Sequence, residues 1–165
     1  YFVEKGYRSI GFIGGYDRNI DSEKPVMDVR EWSFRQSAGY YGVLNEEYIF
    51  IADEYSVAAG YGTAKEMISL DKVPSALCVA SDTLAVGVLQ ALNEAGIQIP
   101  EQTAVFSIND INVARYVSPP LTTFHIDIAM LCEMAVDLLR TRVLEGGKIT
   151  RTVFINGLPV FRKSC

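Results

Sequence analysis

The chain has 165 residues, 49% of them hydrophobic, and a formal net charge of −5. This length fits one domain of ordinary size, and the hydrophobic fraction is sufficient for a packed core. The acidic balance argues against direct binding to nucleic acid or to an anionic membrane, and no apolar run approaches the ~20 residues of a membrane span.

Short apolar runs alternate with helical patterns along the chain. The runs are continuously apolar, which is typical of strands buried on both faces of a sheet. With helices between them, they predict an α/β fold: an open parallel sheet flanked by helices on both faces. The predicted strands are 8–14, 48–53, 75–80, 103–108, 121–126 and 151–155, and the predicted helices are 28–45, 57–70, 82–95, 111–117 and 128–145.

Polar side chains follow the predicted strands. Ligands of open parallel sheets bind outside the carboxyl ends of the strands, so these residues are expected to share one edge. Their hydroxyl, amide and aromatic groups suit a sugar, which needs hydrogen bonds for its hydroxyls and a ring face for its C–H surface. They are Gly14, Gly15, Arg30, Asp53, Glu54, Tyr55, Ser81, Asp82, Asn109, Asp110, His125 and Asp127.

Several of these residues also have a structural interpretation. Asp82 belongs to a residue type favoured at helix N-caps, and either Asn109 or Asp110 can cap the short helix that follows them. Asp28 and Glu31 have the spacing of a capping box. For the residues that also lie at the predicted edge, capping and ligand contact both remain open.

Arg30 lies in the first turn of its predicted helix, where a cation gains nothing from the helix dipole. This favours a ligand contact over a surface ion pair. Tyr55 is either a ligand contact or a packing residue. Trp32, the only tryptophan, is interpreted as a core or interface residue, and His125, the only histidine, as a structural one.

Enzyme interpretations find little support. The chain has no G-x-S-x-G, G-x-G-x-x-G or P-loop motif. Asp82 with Asp110 could hold Mg²⁺, but no basic phosphate cradle accompanies them, and a receiver-like enzyme would need a lysine that LTTFHID lacks. We therefore expect no catalytic residue, no metal site and no cofactor.

The three cysteines are Cys78, Cys132 and Cys165. Their number is odd, and neither a CxxC motif nor a Cys/His cluster is present. This pattern favours reduced thiols in a cytoplasmic protein over disulfides or a metal site.

A long combination of motifs runs from Val73 to Asp127: VPSALCVASDTLAVGVLQALNEAGIQIPEQTAVFSINDINVARYVSPPLTTFHID. It contains the pattern [SN]-D-x-x-A-x-G, an AG-x-x-[IV]-P turn and PPLTT. The segments GYRSIGFIGG and DVREWSF fit the same pattern. Over essentially its whole length, the chain resembles the lactose-repressor/galactose-repressor (LacI/GalR) family of bacterial transcription regulators.

The resemblance implies a domain organisation. Family members have an N-terminal helix-turn-helix DNA-binding domain and a two-lobed sensor like periplasmic sugar-binding proteins. We expect residues 1–127 to form the C-terminal lobe, 128–147 a crossover helix that packs on the first lobe, and 148–165 a returning strand and tail. The DNA-binding domain and most of the first lobe are expected to lie outside this chain.

The resemblance also implies a helix with an uncovered face. The stripe Leu131, Ala135, Leu138 and Leu139 is expected to be exposed without the first lobe and to pack in a swapped or additional dimer contact.

The resemblance assigns effector-binding roles position by position. Arg30 corresponds to the arginine that holds effector hydroxyls, although Ser33 replaces the usual glycine of that motif. Tyr55 corresponds to the aromatic residue that stacks on the effector, and Ser81 to the residue that faces it. The remaining two assignments are Asp82, as a cap or supporting residue, and Asn109, which replaces a frequent aspartate.

The function implied by the resemblance is effector sensing by a repressor of carbohydrate utilisation. A small sugar, for which we favour galactose or a galactoside, would bind between two lobes. The intact homodimer would bind operator DNA through its N-terminal domains, with no membrane involved. The alternative is one lobe of a periplasmic sugar-binding protein of a transporter, which shares the fold and would have a signal peptide.

Overall fold

The computed structural model describes residues 1–16, 27–144 and 150–165. In these residues six strands form one sheet with the order β2-β1-β3-β4-β5-β6. Strands β1 to β5 run parallel, and β6 runs antiparallel to β5. The strands are β1 (Ile10–Gly15), β2 (Ile49–Ala52), β3 (Ala76–Val79), β4 (Ala104–Asn109), β5 (Thr122–His125) and β6 (Leu158–Val160).

Helical segments follow each of the five parallel strands, and those after β1 to β4 lie in the crossover connections that parallel pairing requires. They are α1 (Val29–Tyr40), α2 (Val57–Ser69), α3 (Asp82–Glu94) and α4 (Ile128–Leu144), with 3₁₀ turns at Glu46–Tyr48 and Asn112–Arg115. The predicted α/β class with a largely parallel open sheet is confirmed. None of the helices in the described residues is long and apolar enough to span a membrane.

The sheet has a core on each face, because successive residues of a strand point to opposite sides. On one face Leu77 and Val105 pack with Leu84 and Val88 of α3 in the larger core. Each such side chain contributes about 1.5–3 kcal/mol when fully buried.

On the other face Ile10, Ala76 and Ala104 pack with Ala38 of α1 and with Phe2. Helices therefore cover both faces of the sheet, as predicted.

Helices α2 and α3 cross at unusually close range. A Cβ added to Gly60 would lie 2.2 Å from the carbonyl oxygen of Leu84, and one added to Gly87 would lie 2.0 Å from that of Val57. Only glycine permits this backbone approach, which brings the N-terminal ends of both helices together at the edge where β2 and β3 end.

One predicted helix end and one predicted strand are wrong. Helix α1 ends at Tyr40 instead of near residue 45, because Gly42 adopts the left-handed conformation (φ 67°) and Val43 N–H bonds back to the carbonyl of Ala38. The strand predicted at 151–155 does not form: no strand in the described part of the chain pairs with it, and Phe154 is 88% exposed.

The last strand forms instead at Leu158–Val160. Gly157 precedes it, and a Cβ at Gly157 would lie 2.5 Å from the carbonyl oxygen of His125. The missing side chain thus lets the chain approach the free edge of β5.

Helix α4 lies apart from both cores. None of its residues is buried, and Val136, Leu139 and Val143 are 64–69% exposed. In the predicted stripe Leu131, Ala135 and Leu139 are exposed and Leu138 is half-buried. What covers this stripe stays a prediction, and residues 145–147 of the predicted crossover segment lie outside the described residues.

Candidate functional site

The carboxyl ends of β1 to β4 carry a connected set of polar contacts. Arg30, which follows β1, donates from Nη1 to the carbonyl of Ala80 at the end of β3, at 3.0 Å. Its guanidinium carbon lies 4.5 Å from the ring centroid of Tyr55, which follows β2. The structure therefore brings together two of the predicted effector-binding residues, Arg30 and Tyr55.

Asp28 organises this part of the edge. It caps α1 by accepting from Arg30 N–H at 2.8 Å, and its carboxylate forms a two-point ion pair with Arg30: Oδ1 to Nε at 2.8 Å and Oδ2 to Nη2 at 2.6 Å. The hydroxyl of Tyr55 donates to Oδ2 at 2.9 Å. The capping-box spacing indicated the cap but not the ion pair, and Glu31 bonds to Arg35.

Two ionisable groups of this cluster, Asp28 and Tyr55, have shifted pKa values. Hydrogen bonds from the Arg30 side chain lower the pKa of Asp28 from 3.8 to about 2, against the opposing effect of burial. Burial, and then the hydrogen bond to Asp28, raise the pKa of Tyr55 to about 12. The Asp28 carboxylate, the Arg30 cation and the neutral Tyr55 phenol are therefore fixed charge states at neutral pH.

The Asp28 shift predicts an acid-dependent loss of stability. A carboxyl group whose pKa is lower in the folded than in the unfolded state stabilises the fold while it is ionised. This stability is fully present above the unfolded-state pKa and is lost as the pH falls through the folded-state pKa. We expect the free energy of unfolding to fall by about 2 kcal/mol between pH 4 and pH 2 on account of Asp28. Urea unfolding across this range measures it. Asp28→Asn should flatten that part of the curve, and an unchanged slope in the variant would contradict the assignment.

Helix α3 is capped by Ser81 and not by Asp82. The hydroxyl oxygen of Ser81 accepts from Leu84 N–H at 3.2 Å, so of the two interpretations left open for Asp82 the capping one is wrong. Ser81 has the extended backbone of a cap residue (φ −153°, ψ 154°), whereas Asp82 is already helical.

The side chain of Asp82 points into the protein and is fully buried. It accepts from Ser107 Oγ, from Thr123 Oγ1 at 2.6 Å and from Ile111 N–H at 2.8 Å. One carboxylate thereby connects the start of α3 with β4, β5 and the loop after β4. The contacts of Asp82 fit the supporting role, and contact of Ser81 or Asp82 with an effector stays a prediction.

Asn109 and Asp110 form a strained turn at the end of β4. Both have positive φ angles, 123° and 57°, which non-glycine residues rarely adopt. Neither caps the 3₁₀ turn that follows, because Ile111 occupies the cap position without a side-chain hydrogen bond. The capping alternative is therefore wrong for both residues, and an effector contact by Asn109 stays a prediction.

Asp110 is held from two sides. Its 5%-exposed carboxylate accepts from Arg162 Nη2 at 2.6 Å and lies 3.2 Å from His125 Nδ1. Arg162 follows β6 and carried no sequence signal, since its position depends on where β6 pairs. The structural interpretation of His125 agrees with this contact.

Two other sequence interpretations can be compared with the structure. Trp32 is 53% exposed, which rules out a core role and leaves the interface interpretation as a prediction. Cys78, Cys132 and Cys165 are free thiols, and burial raises the pKa of Cys78 to about 12. Within residues 1–16, 27–144 and 150–165, no group of three or more His, Cys, Asp or Glu side chains could hold a metal ion.

Comparison with known proteins identifies the family. The sequence profile of the periplasmic binding protein-like domain matches residues 1–165. This chain belongs to the periplasmic binding protein-like domain family. Its resemblance to LacI/GalR-type regulators is also confirmed by the relatives that it matches.

Two relatives and one solved structure of this family show how far the similarity extends. The HTH-type transcriptional regulator GanR of Bacillus subtilis is 45% identical over 164 residues, which are 98% of this chain and 50% of GanR. The lactose operon repressor of Rhizobium radiobacter is 39% identical over 105 residues, 64% of this chain and 92% of that protein. The Escherichia coli transcriptional repressor ascG is 26% identical, with a TM-score of 0.81 covering 99% of this chain and 58% of that one.

These matches bear on two predictions. The chain spans half the length of GanR. The relatives are transcriptional regulators, which confirms the prediction that this periplasmic binding protein-like domain is not an enzyme. Their names favour a regulator over the transporter alternative.

Proposed function

We propose that this chain is the C-terminal lobe of the effector-sensing domain of a cytoplasmic LacI-type repressor of carbohydrate utilisation. A small sugar binds against the carboxyl edge of β1 to β4, between this lobe and a first lobe outside this chain. The observation that carries the proposal is the oriented guanidinium of Arg30, held by Asp28, Ala80 and the ring of Tyr55 at that edge.

The roles of the site residues follow from this arrangement. Arg30 donates charge-assisted hydrogen bonds to sugar hydroxyls, which are stronger than neutral ones. Tyr55 has its ring against Arg30, so it orients the guanidinium and offers the effector its remaining surface. Asn109 provides both a donor and an acceptor where an aspartate only accepts. Ser81 and Asp82 support the edge from the start of α3.

Regulation would follow from a difference in sugar affinity between two arrangements of the lobes. Sugar binding closes or reorients the lobes, and in a homodimer this changes the spacing of the paired DNA-binding domains. Such coupling free energies are typically about 1–3 kcal/mol. Galactose or a galactoside is the effector that we favour. The name of one relative, the lactose operon repressor, supports a sugar operon as the target.

The test is isothermal titration calorimetry on the full-length regulator with galactose, lactose, glucose, ribose and purine bases. We expect binding of a galactoside, and Arg30→Ala should weaken it by about tenfold to a hundredfold, because a hydrogen bond to a charged group contributes about 1.5–3 kcal/mol. Arg8→Ala is the matched control, since Arg8 is exposed at the amino end of β1 and donates to the nearby carbonyls of Val3 and Tyr7.

Two results would count against the proposal. Galactoside binding that Arg30→Ala and Arg8→Ala leave equally strong would remove Arg30 from the site. The absence of binding for every sugar would exclude this effector class and leave the fold unaffected.

A further inference from the structure

The positive charge of Arg30 is balanced within its own helical turn. Both carboxylate oxygens of Asp28 bond to the guanidinium, at 2.8 and 2.6 Å, and the side chains of Arg30 and Asp28 are only 31% and 18% exposed. The pairing has a fixed geometry, because Ala80 holds a third guanidinium nitrogen and Tyr55 donates to Asp28. A ligand at this edge therefore meets an ion pair, not an isolated cation.

Another ion pair, between Arg162 and Asp110, is balanced in the same way. Arg162 pairs with Asp110 at 2.6 Å, where the half-exposed His125 also contacts the carboxylate. Asp82 adds a buried carboxylate whose hydrogen-bond donors are all uncharged. Among these residues the carboxylates at least match the cations in number. This arrangement suits an uncharged ligand and opposes an anionic one, because an anion would compete with the carboxylates for the same guanidinium groups.

We propose that Asp28 is a specificity-determining residue that restricts this edge to uncharged effectors and excludes phosphorylated or carboxylated sugars. It acts through Arg30: it orients the guanidinium for hydroxyl groups and occupies the two-point geometry that a phosphate or carboxylate would take. This inference rests on the proposed function for the identity of the effector, but the effect of Asp28 on anion binding can be measured without it.

Three substitutions distinguish the effect of the Asp28 charge on anion binding from an effect on folding. Asp28→Asn removes the charge and keeps a side chain that caps helices as well as aspartate does. Asp28→Glu keeps the charge. Asp71→Asn is the matched control: it removes the same charge from an exposed residue at the opposite edge of the sheet, before β3, where φ is 54° and asparagine is tolerated.

The first experiment uses inorganic phosphate as the probe and the 165-residue chain as the protein. Phosphate binding is followed by titration calorimetry in the wild type and the three variants at constant ionic strength. We expect Asp28→Asn to bind phosphate at least about tenfold more tightly than the wild type. The reason is that the phosphate can then form the charge-assisted two-point contact with Arg30 that the Asp28 carboxylate occupies in the wild type. Asp28→Glu and Asp71→Asn should bind as weakly as the wild type. Equal phosphate affinity in Asp28→Asn and the wild type would overturn the proposal.

The second experiment measures selectivity in the full-length regulator with galactose and galactose 6-phosphate. The wild type should prefer the neutral sugar, and Asp28→Asn should shift the affinity ratio toward the phosphorylated one by about tenfold or more, a change that general loss of structure does not produce. A wild type that prefers galactose 6-phosphate would overturn the proposal. If the wild type binds neither sugar, the proposed function fails, while the phosphate titration still decides the role of Asp28.

Discussion

Gly87→Ala is expected to lower the free energy of unfolding by about 3 kcal/mol or more. The added methyl group would lie 2.0 Å from the carbonyl oxygen of Val57 and 2.5 Å from the backbone nitrogen of Tyr61. Both neighbours are backbone atoms of α2, which cannot rotate away as a side chain can, so α2 and α3 must separate. Overpacking that moves backbone typically costs about 1–3 kcal/mol and occasionally more. Urea unfolding followed by circular dichroism measures the change.

The same pair of helices provides an internal control. Gly60→Ala should behave like Gly87→Ala, because its Cβ would lie 2.2 Å from the carbonyl oxygen of Leu84. Gly62, two residues further along α2, has no atom within 4 Å of the added Cβ. Gly62→Ala should therefore stabilise the chain by about 0.5–1 kcal/mol through helix propensity alone. Similar unfolding free energies for all three variants would contradict the close approach of the helices.

Asp82→Ala is the second large effect that we expect, with a loss of about 3 kcal/mol or more in the free energy of unfolding. The substitution leaves the buried hydroxyls of Ser107 and Thr123 and the N–H of Ile111 without their acceptor. An unsatisfied buried donor costs about 1–3 kcal/mol. Thermal and urea unfolding of the chain measure the loss.

Asp82→Asn tests the same network more finely. The amide keeps one oxygen for two of the three donors and turns an N–H group toward the third, so we expect a smaller loss, about 1–3 kcal/mol. Asp137→Ala, at an exposed position of α4, is the control and should change stability by less than about 0.5 kcal/mol. A tolerated Asp82→Ala would show that the network does not hold β4, β5 and α3 together.

The fold class could be predicted because it depends on local pattern. Continuously apolar strands alternating with helices permit few arrangements other than a parallel sheet covered on both faces. The segment 151–155 fails for the complementary reason. Its residues favour a strand, but a strand forms only where it can hydrogen-bond to a neighbouring strand. The local sequence does not indicate that β5 pairs with Leu158–Val160 and not with 151–155.

The candidate site could be predicted only in part. The resemblance supplied Arg30 and Tyr55, and the structure places them in contact. Ser81 and Asp82 are both favoured cap types, so the sequence could not tell which one precedes the first helical residue. The second role of Asp28 was also hidden, because a cap residue and an ion-pair partner look identical in sequence. Arg162 was missed, since its contact with Asp110 depends on long-range pairing.

Helix α4 has a thermodynamic consequence of its own. Its 17 residues include none that is buried, so its backbone hydrogen bonds are supported by little of the tertiary packing that provides most helix stability in proteins. Anything that binds only the ordered helix increases its population by mass action. The order of α4 is thus linked to the concentration and affinity of whatever covers its apolar face, whereas the order of α3, packed in the core, is fixed by the chain itself.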